Sequence, residues 1–165
     1  MISVNNVTKR FGEFEAVKNI SFTIQDGCIY GLVGVNGAGK STLIRTLVGI
    51  YKCDEGRVTL DGVEVYDNPA VKQRIAFVPD ELYLPPSATL RSMADKYAEL
   101  YRPVLGGRLA LRSSDVFRGF NYGRFTKLTT DFGLSLNKQF NQFSKGMKRQ
   151  AATALALALE PKYIF

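Results

Sequence analysis

The 165 residues contain no histidine. That excludes imidazole catalysis and histidine metal ligands within them. Cysteine occurs twice, at Cys28 and Cys53, without the paired spacing of a metal site. Cys28 falls in a predicted strand, so a buried, reduced thiol is expected there. No apolar run approaches the ~20 residues of a membrane-spanning helix; the best candidate, Ala151 to Leu159, is far shorter. The start, Met1 to Asn6, lacks the charged lead and apolar core of a secretory signal, and none is expected. Acidic residues are scarce between Arg102 and Lys127, where six basic residues face Asp115 alone. Much of the formal charge of +7 lies there. The plainer reading is a solvated basic surface, and the sharper one is contact with anionic headgroups, a partner or nucleic acid. Nucleic acid ranks last, because no stacking platform or known signature accompanies the charge.

What is present is enough for one domain with a core, with 45% hydrophobic residues. The most informative stretch is Gly34-Val35-Asn36-Gly37-Ala38-Gly39-Lys40-Ser41-Thr42, which fits the P-loop pattern G-x-x-x-x-G-K-[ST]. The glycines allow backbone N–H groups to turn inward around a phosphate chain. Lys40 can reach the β- and γ-phosphates as a point charge, and the Ser41 hydroxyl can ligate Mg²⁺. Cys28 to Val33 reads as the short buried strand before the loop. Ser41 to Ile50 reads as the helix after it, with its positive end at the phosphates.

The first third is strand-like. Val17 to Ile24 alternates apolar and polar residues, as a half-buried strand does. Arg57 to Leu60 and Val63 to Val65 flank Asp61-Gly62, a two-residue hairpin signal. Asn68 before Pro69 predicts a capped short helix to about Arg74, and Ile75 to Val78 a buried strand stopped by Pro79. From Pro85 the periodicity becomes helical. Leu90, Met93, Ala94, Tyr97 and Tyr101 share one face, with Thr89 or Ser87 as cap. Phe125, Leu128 and Phe132 mark a second helix, terminated by Gly133. Ser144 caps a third, with Met147, Ala151, Ala154, Leu155, Ala158 and Leu159 on its apolar face and Pro161 at its end. Arg102 to Gly119 has no sustained periodicity and reads as a long loop or insertion.

A second motif narrows the class. Phe143-Ser144-Lys145-Gly146-Met147-Lys148-Arg149-Gln150 opens a helix about a hundred residues after the P-loop, and Pro161 to Phe165 then reads as the start of an apolar strand. This resembles the signature motif of ATP-binding cassette (ABC) ATPases, with Phe143, Ser144, Lys145, Gly146 and Met147 standing for its LSGGQ residues. A serine and a glycine at a helix start offer a hydroxyl, backbone N–H groups and a positive dipole end to a phosphate. The resemblance implies that Ser144, Lys145, Gly146 and Met147 meet the γ-phosphate held by a second ABC ATPase subunit, homo- or heterodimeric, so that two ATP molecules are enclosed. Lys9-Arg10-Phe11-Gly12 looks like the family's adenine-stacking segment, with Phe11 as the aromatic; a packed strand-end phenylalanine is the alternative. Phe77-Val78-Pro79-Asp80 aligns with the Q-loop, where the resemblance makes Asp80 a Mg²⁺ ligand, one methylene shorter than the Glu of some members. Glu81 is a fallback ligand. The eight-residue signature variant looks most like ATPase subunits of small bacterial exporters.

The implied fold is α/β: a P-loop NTPase core with an antiparallel N-terminal β portion and a helical subdomain. Residues 1–84 form the β/P-loop portion, 85–143 the helical subdomain with atypical segment 102–119, and 144–165 the signature helix and the start of the Walker B strand. Together they make a partial ABC ATP-binding domain. The family's Walker B Asp, catalytic Glu and switch His follow that strand, beyond Phe165. The 165 residues alone are therefore expected to bind nucleotide weakly and hydrolyse it poorly. The implied function is that of an ATP-binding subunit coupling ATP binding and hydrolysis, with Mg²⁺, to transport through a separate transmembrane permease subunit at the cytoplasmic face of the membrane, in the export direction. ATP contacts are expected from Phe11, Gly34, Asn36, Gly37, Ala38, Gly39, Lys40, Ser41 and Thr42, with Lys40 as the phosphate-stabilising catalytic residue and Ser41 and Asp80 as metal ligands. The alternatives are a soluble ABC ATPase of DNA repair or translation, and a non-hydrolytic fragment.

Overall fold

The computed structural model describes residues 1–101 and 119–165. The predicted insertion lies outside them except for Gly119. The chain divides into two compact units, Met1–Ile75 and Ala76–Phe165.

The N-terminal unit is built on a four-stranded antiparallel sheet in the order β2-β1-β3-β4. Strand β1 (Ile2–Phe11) and strand β2 (Phe14–Ile24) form a hairpin around Gly12 and Glu13. Gly12 sits at φ +60°, the left-handed conformation that such a tight turn requires. Strand β3 (Glu55–Leu60) pairs with β1 and turns at Asp61-Gly62 into β4 (Val63–Glu64). Both turn residues have positive φ, 52° and 81°, as a type I′ turn demands and as the Asp-Gly signal predicted. Helix α1 (Lys40–Leu47) packs on β1 and β2 and buries Leu43 and Leu47; Val4, Val7 and Val17 of the two strands are buried too. The helix ends at Leu47, three residues short of the predicted limit at Ile50, with Gly49 at φ +72° just past its C-cap. A short helix α2 (Pro69–Lys72) follows, with Asn68 Oδ1 accepting from the Val71 N–H at 3.3 Å.

The C-terminal unit is mostly helical. Strand β5 (Ile75–Ala76) leads into it and pairs with β6 (Tyr163–Ile164). Phe165 donates to the Ala76 carbonyl at 2.9 Å and accepts from the Val78 N–H at 2.8 Å, the slanted pattern of parallel neighbours. Helix α3 (Leu90–Leu100) starts in a capping box: Thr89 Oγ1 accepts from Ser92 N–H, and Ser92 Oγ from Thr89 N–H, each at 3.1 Å. Helix α4 (Tyr122–Asp131) is capped by Asn121 and ends before Gly133 at φ +65°. Helix α5 (Lys145–Leu157) is capped by Ser144. Leu90, Phe125, Phe140, Ala154 and Leu155 meet in one buried core between these helices. Alanines on α5 let it lie close to its neighbours, while Phe140 fills the centre.

One predicted element is absent. Residues 25–35 form no strand, and no described residue pairs with them in a sheet. A buried strand needs neighbours to take its N–H and C=O groups. Without them the run is open to solvent: Ile29 is 104% and Val33 93% exposed. Cys28 is exposed as well, not buried; its thiol donates to the Gln25 carbonyl at 3.1 Å.

Candidate nucleotide site

The P-loop owes its shape to two glycines in the left-handed region, Gly37 at φ +83° and Gly39 at φ +81°. Gly39 is the more constrained. A Cβ there would lie 2.0 Å from the carbonyl oxygen of Ala16 on β2. The loop can therefore enter α1 only where the side chain is a hydrogen atom. The entry glycine also has no side chain to cap the first turn, so the N–H groups of Lys40, Ser41 and Thr42 start the helix without a side-chain acceptor. Aligned peptide dipoles add a partial positive charge at this end.

Lys40 Nζ donates to the carbonyls of Gly34 and Val35, both at 2.7 Å. The ammonium thus spans the mouth of the loop. Ala38 N–H closes the turn on the Val35 carbonyl at 3.2 Å. Asn36 and Ser41 are exposed, and Thr42 anchors the first turn by accepting from Thr46 Oγ1 at 2.9 Å. Gly34 packs against Ala38 and the Lys40 stem, with room for a Cβ at ordinary contact distance. The loop and the first turn of α1 thus carry uncapped N–H groups, an ammonium and a hydroxyl, a donor set that fits a polyphosphate.

Phe11 lies at the shoulder of the β1–β2 hairpin, opposite Phe14, and 46% of it is exposed. Its ring meets Tyr51 edge to face, with centroids 5.4 Å apart. Lys9 Nζ stands 5.5 Å from the Phe11 ring centre and pairs with Asp54 at 3.1 Å. Asp54 also accepts from the Arg10 N–H, and its own N–H donates to the Thr8 carbonyl at 2.9 Å. The Arg10 N–H, followed by the Lys9 ammonium, holds the Asp54 carboxyl below the usual carboxylate range. The sequence reading placed Lys9 in the segment with Phe11 but missed Tyr51 and Asp54 and the contacts of Lys9 with Asp54 and the Phe11 ring. Their association joins residues some forty positions apart, and no local spacing records it.

In the C-terminal unit, Ser144 Oγ accepts from the Met147 N–H at 3.2 Å and so serves as the cap of α5. The hydroxyl retains its own proton to donate. Lys145 and Gly146 are exposed in the first turn and Met147 is half-buried. Beside them lies an open hollow of about 400 Å³, lined by Phe132, Ser144, Met147, Gln150 and Thr153 among others. Asp80 is in this same unit. Its backbone carbonyl accepts from Arg149 Nη2 at 2.8 Å, and its carboxylate lies 3.7 Å from the same nitrogen. Glu81 is exposed beside it. Among the described residues no group of three or more Cys, Asp or Glu side chains could hold a metal. In the N-terminal unit, the exposed Ser41 hydroxyl is a hard oxygen donor of the kind that Mg²⁺ accepts.

The ABC transporter family model matches residues 17–165. The probable sulfate/thiosulfate import ATP-binding protein CysA of Chlorella vulgaris is 32% identical over 99% of this chain and 64% of its own length. The SkfA peptide export ATP-binding protein SkfE of Bacillus subtilis is 38% identical over 62% of this chain and 43% of its own. The chain spans about half the length of the curated relatives it matches. Among solved structures, a dimeric ATP-binding cassette in a post-hydrolysis state with ADP and Pi superposes with a TM-score of 0.76, at 27% identity, covering 99% of this chain and 72% of that one. The chain belongs to the ABC transporter family, and its fold is that of the family's ATP-binding cassettes.

Proposed function

We propose that this chain is part of an ATP-binding subunit whose ATP binding and hydrolysis drive transport through a separate transmembrane permease subunit, peripheral to the cytoplasmic face of the membrane. The observation that carries the reading is the P-loop itself, where Gly39 lies against Ala16 O, α1 opens without a side-chain cap, and the Lys40 ammonium lies across Gly34 and Val35. Bound Mg²⁺ would neutralise phosphate charge. Lys40 and the loop N–H groups stabilise the charge that develops on the transferred phosphoryl group. Ser41 would hold the metal, with Asp80 as a second ligand. Phe11 stacks on the base, and Gly34, Asn36, Gly37, Ala38 and Thr42 complete the cradle. Ser144, Lys145, Gly146 and Met147 act on the nucleotide of a second ATPase subunit; the dimeric cassette structure supports pairing of this kind. Residues 1–84, 85–143 and 144–165 serve as core portion, helical subdomain and signature segment.

We assign the direction as export, on the Phe143–Gln150 variant of the signature. The relatives include proteins named for import as well as export. Vesicles carrying the subunit with its permease, scored for substrate accumulation against extrusion, decide between them.

The first test is thermal unfolding with and without Mg-ATP, beside Lys40→Ala. Ligand at about 100 times its Kd stabilises by about 2.7 kcal/mol, a rise of roughly 5–10 °C for a chain this size. A rise in the parent chain that Lys40→Ala loses supports the reading. A cooperative melt that Mg-ATP leaves unmoved sinks it. Turnover on a pure preparation, with the same variant as control, then tests hydrolysis.

A further inference from the structure

The half-exposed ring of Phe11 does not stand alone. Tyr51 meets it at an interplanar angle of 79°. Tyr51 follows α1 directly, in the loop that Asp54 fastens to the end of β1 through Lys9, the Arg10 N–H and the Thr8 carbonyl. The fastening is specific. Asp54 uses both carboxylate oxygens, one on each of two neighbouring β1 residues, and its own N–H on a third. Lys9, the ammonium in that fastening, also stands over the Phe11 ring. The ring is therefore restrained by an aromatic edge contact from the loop and by a cation of its own strand that the loop's Asp54 holds in place.

This matters for a stacking residue. A phenylalanine at a hairpin shoulder, 46% exposed, is free to rotate about χ1 and χ2 unless neighbours hold it. A base that stacks on a mobile ring must first immobilise it, and that entropy is subtracted from affinity. A ring already held avoids the loss. The same α1 segment thus has the phosphate-facing loop at its start and the support of the base-facing ring just past its end.

We propose that Tyr51 is a positioning residue for nucleobase recognition, fixing the Phe11 ring in the orientation that accepts a purine. The inference rests on the nucleotide-binding reading above and adds to it a residue that neither motif contains. Tyr51 touches Phe11, not the phosphates, so its removal affects the base and spares the triphosphate.

The test measures binding of Mg-ATP and of inorganic tripolyphosphate with Mg²⁺ to the 165-residue chain by calorimetry. The variants are Tyr51→Leu, Tyr51→Phe, Phe11→Leu and the double Tyr51→Leu/Phe11→Leu. Leucine keeps apolar bulk in the loop and tyrosine's ring is what it removes. An aromatic pair contributes beyond area burial by an amount equal to about three- to tenfold in affinity. Tyr51→Leu is expected to weaken ATP binding about three- to tenfold and leave tripolyphosphate unchanged. Tyr51→Phe restores ATP binding, and the double variant is no weaker than Phe11→Leu alone. Equal loss for both ligands, or no restoration by Tyr51→Phe, overturns the proposal, because Tyr51 would then act only on loop stability. Unchanged ATP binding in Tyr51→Leu beside a weakened Phe11→Leu overturns it while the nucleotide reading stands. A parent chain that binds neither ligand overturns the nucleotide reading, and this proposal with it.

Discussion

The backbone carbonyl of Ala16 occupies the place where any side chain on Gly39 would begin, 2.0 Å from an ideal Cβ. Gly39→Ala therefore forces either β2 or the loop to move, in addition to placing alanine at φ +81°. A left-handed non-glycine residue costs roughly 1–2 kcal/mol and overpacking about 1–3 kcal/mol. The melting temperature should fall by roughly 5–15 °C at this size. Gly37→Ala, at φ +83° but with open space around it, should lose only the left-handed cost of about 1–2 kcal/mol. Parallel melts of the two variants check the contrast; equal losses would show that the Ala16 approach is not what fixes the loop.

Ser41 stands exposed in the first turn of α1, with its hydroxyl available to a cation brought by a phosphate. Ser41→Ala should leave folding intact and raise the Mg²⁺ concentration needed for half-maximal ATP binding by about tenfold, in line with the effect of lost metal-site partners. A magnesium titration at fixed ATP reads this directly. An unchanged midpoint would remove Ser41 from the metal site.

Asp54 links stability to pH. Its folded-state pKa is depressed by the Arg10 N–H and the Lys9 ammonium, so the folded state holds this proton less tightly than the unfolded chain does. The stabilisation is complete above the unfolded value of about 3.9 and is lost as pH falls through the lower folded value. Melting temperatures taken from pH 6 down to pH 2.5 should decline, and Asp54→Asn should flatten part of that decline. The asparagine variant should also reduce ATP affinity, if the loop it loosens is what carries Tyr51 to Phe11.

Phe140 is fully buried at the centre of the C-terminal unit and packs edge to face on Phe143, with centroids 5.4 Å apart. Phe140→Ala should cost about 3–5 kcal/mol, while Ser144→Ala, which removes only the cap of α5, should cost about 1 kcal/mol. Urea melts of both variants test the ranking. A Ser144→Ala protein as unstable as Phe140→Ala would mean that the hydroxyl does more for the fold than capping.

Much of this architecture was legible from local chemistry. Asp61-Gly62, Asn68-Pro69, Thr89, Gly133 and Ser144 each act where their own backbone or side-chain preference dictates, so short windows suffice to place them. The P-loop belongs with these, because its glycines are needed by their own φ angles. Strand β1 was not legible. Its alternation is broken by register shifts, Asn6 sits at φ +48°, and Thr8 is buried with its hydroxyl on the Asn19 N–H. A bulged strand hides its period from a pattern that assumes two residues per repeat. The opposite error fell on residues 28–33, whose apolar run reads as a buried strand but has no sheet partner among the described residues. Burial is decided by neighbours, and composition alone does not supply them. The Phe11–Tyr51 and Arg149–Asp80 contacts are likewise products of tertiary proximity.

The start of α5 carries Lys145, Lys148 and Arg149 and no acidic residue in its first turn. Cations at a helix N-terminus oppose the macrodipole. The turn is therefore held by its serine cap, and the helix beyond it by buried alanines, against these charges. Added salt screens that opposition within a Debye length of about 8–10 Å. The first turn of α5 is thus a place where rising ionic strength tightens the backbone, although the same salt loosens the ion pairs that Lys9 and Arg10 make at the far end of the chain.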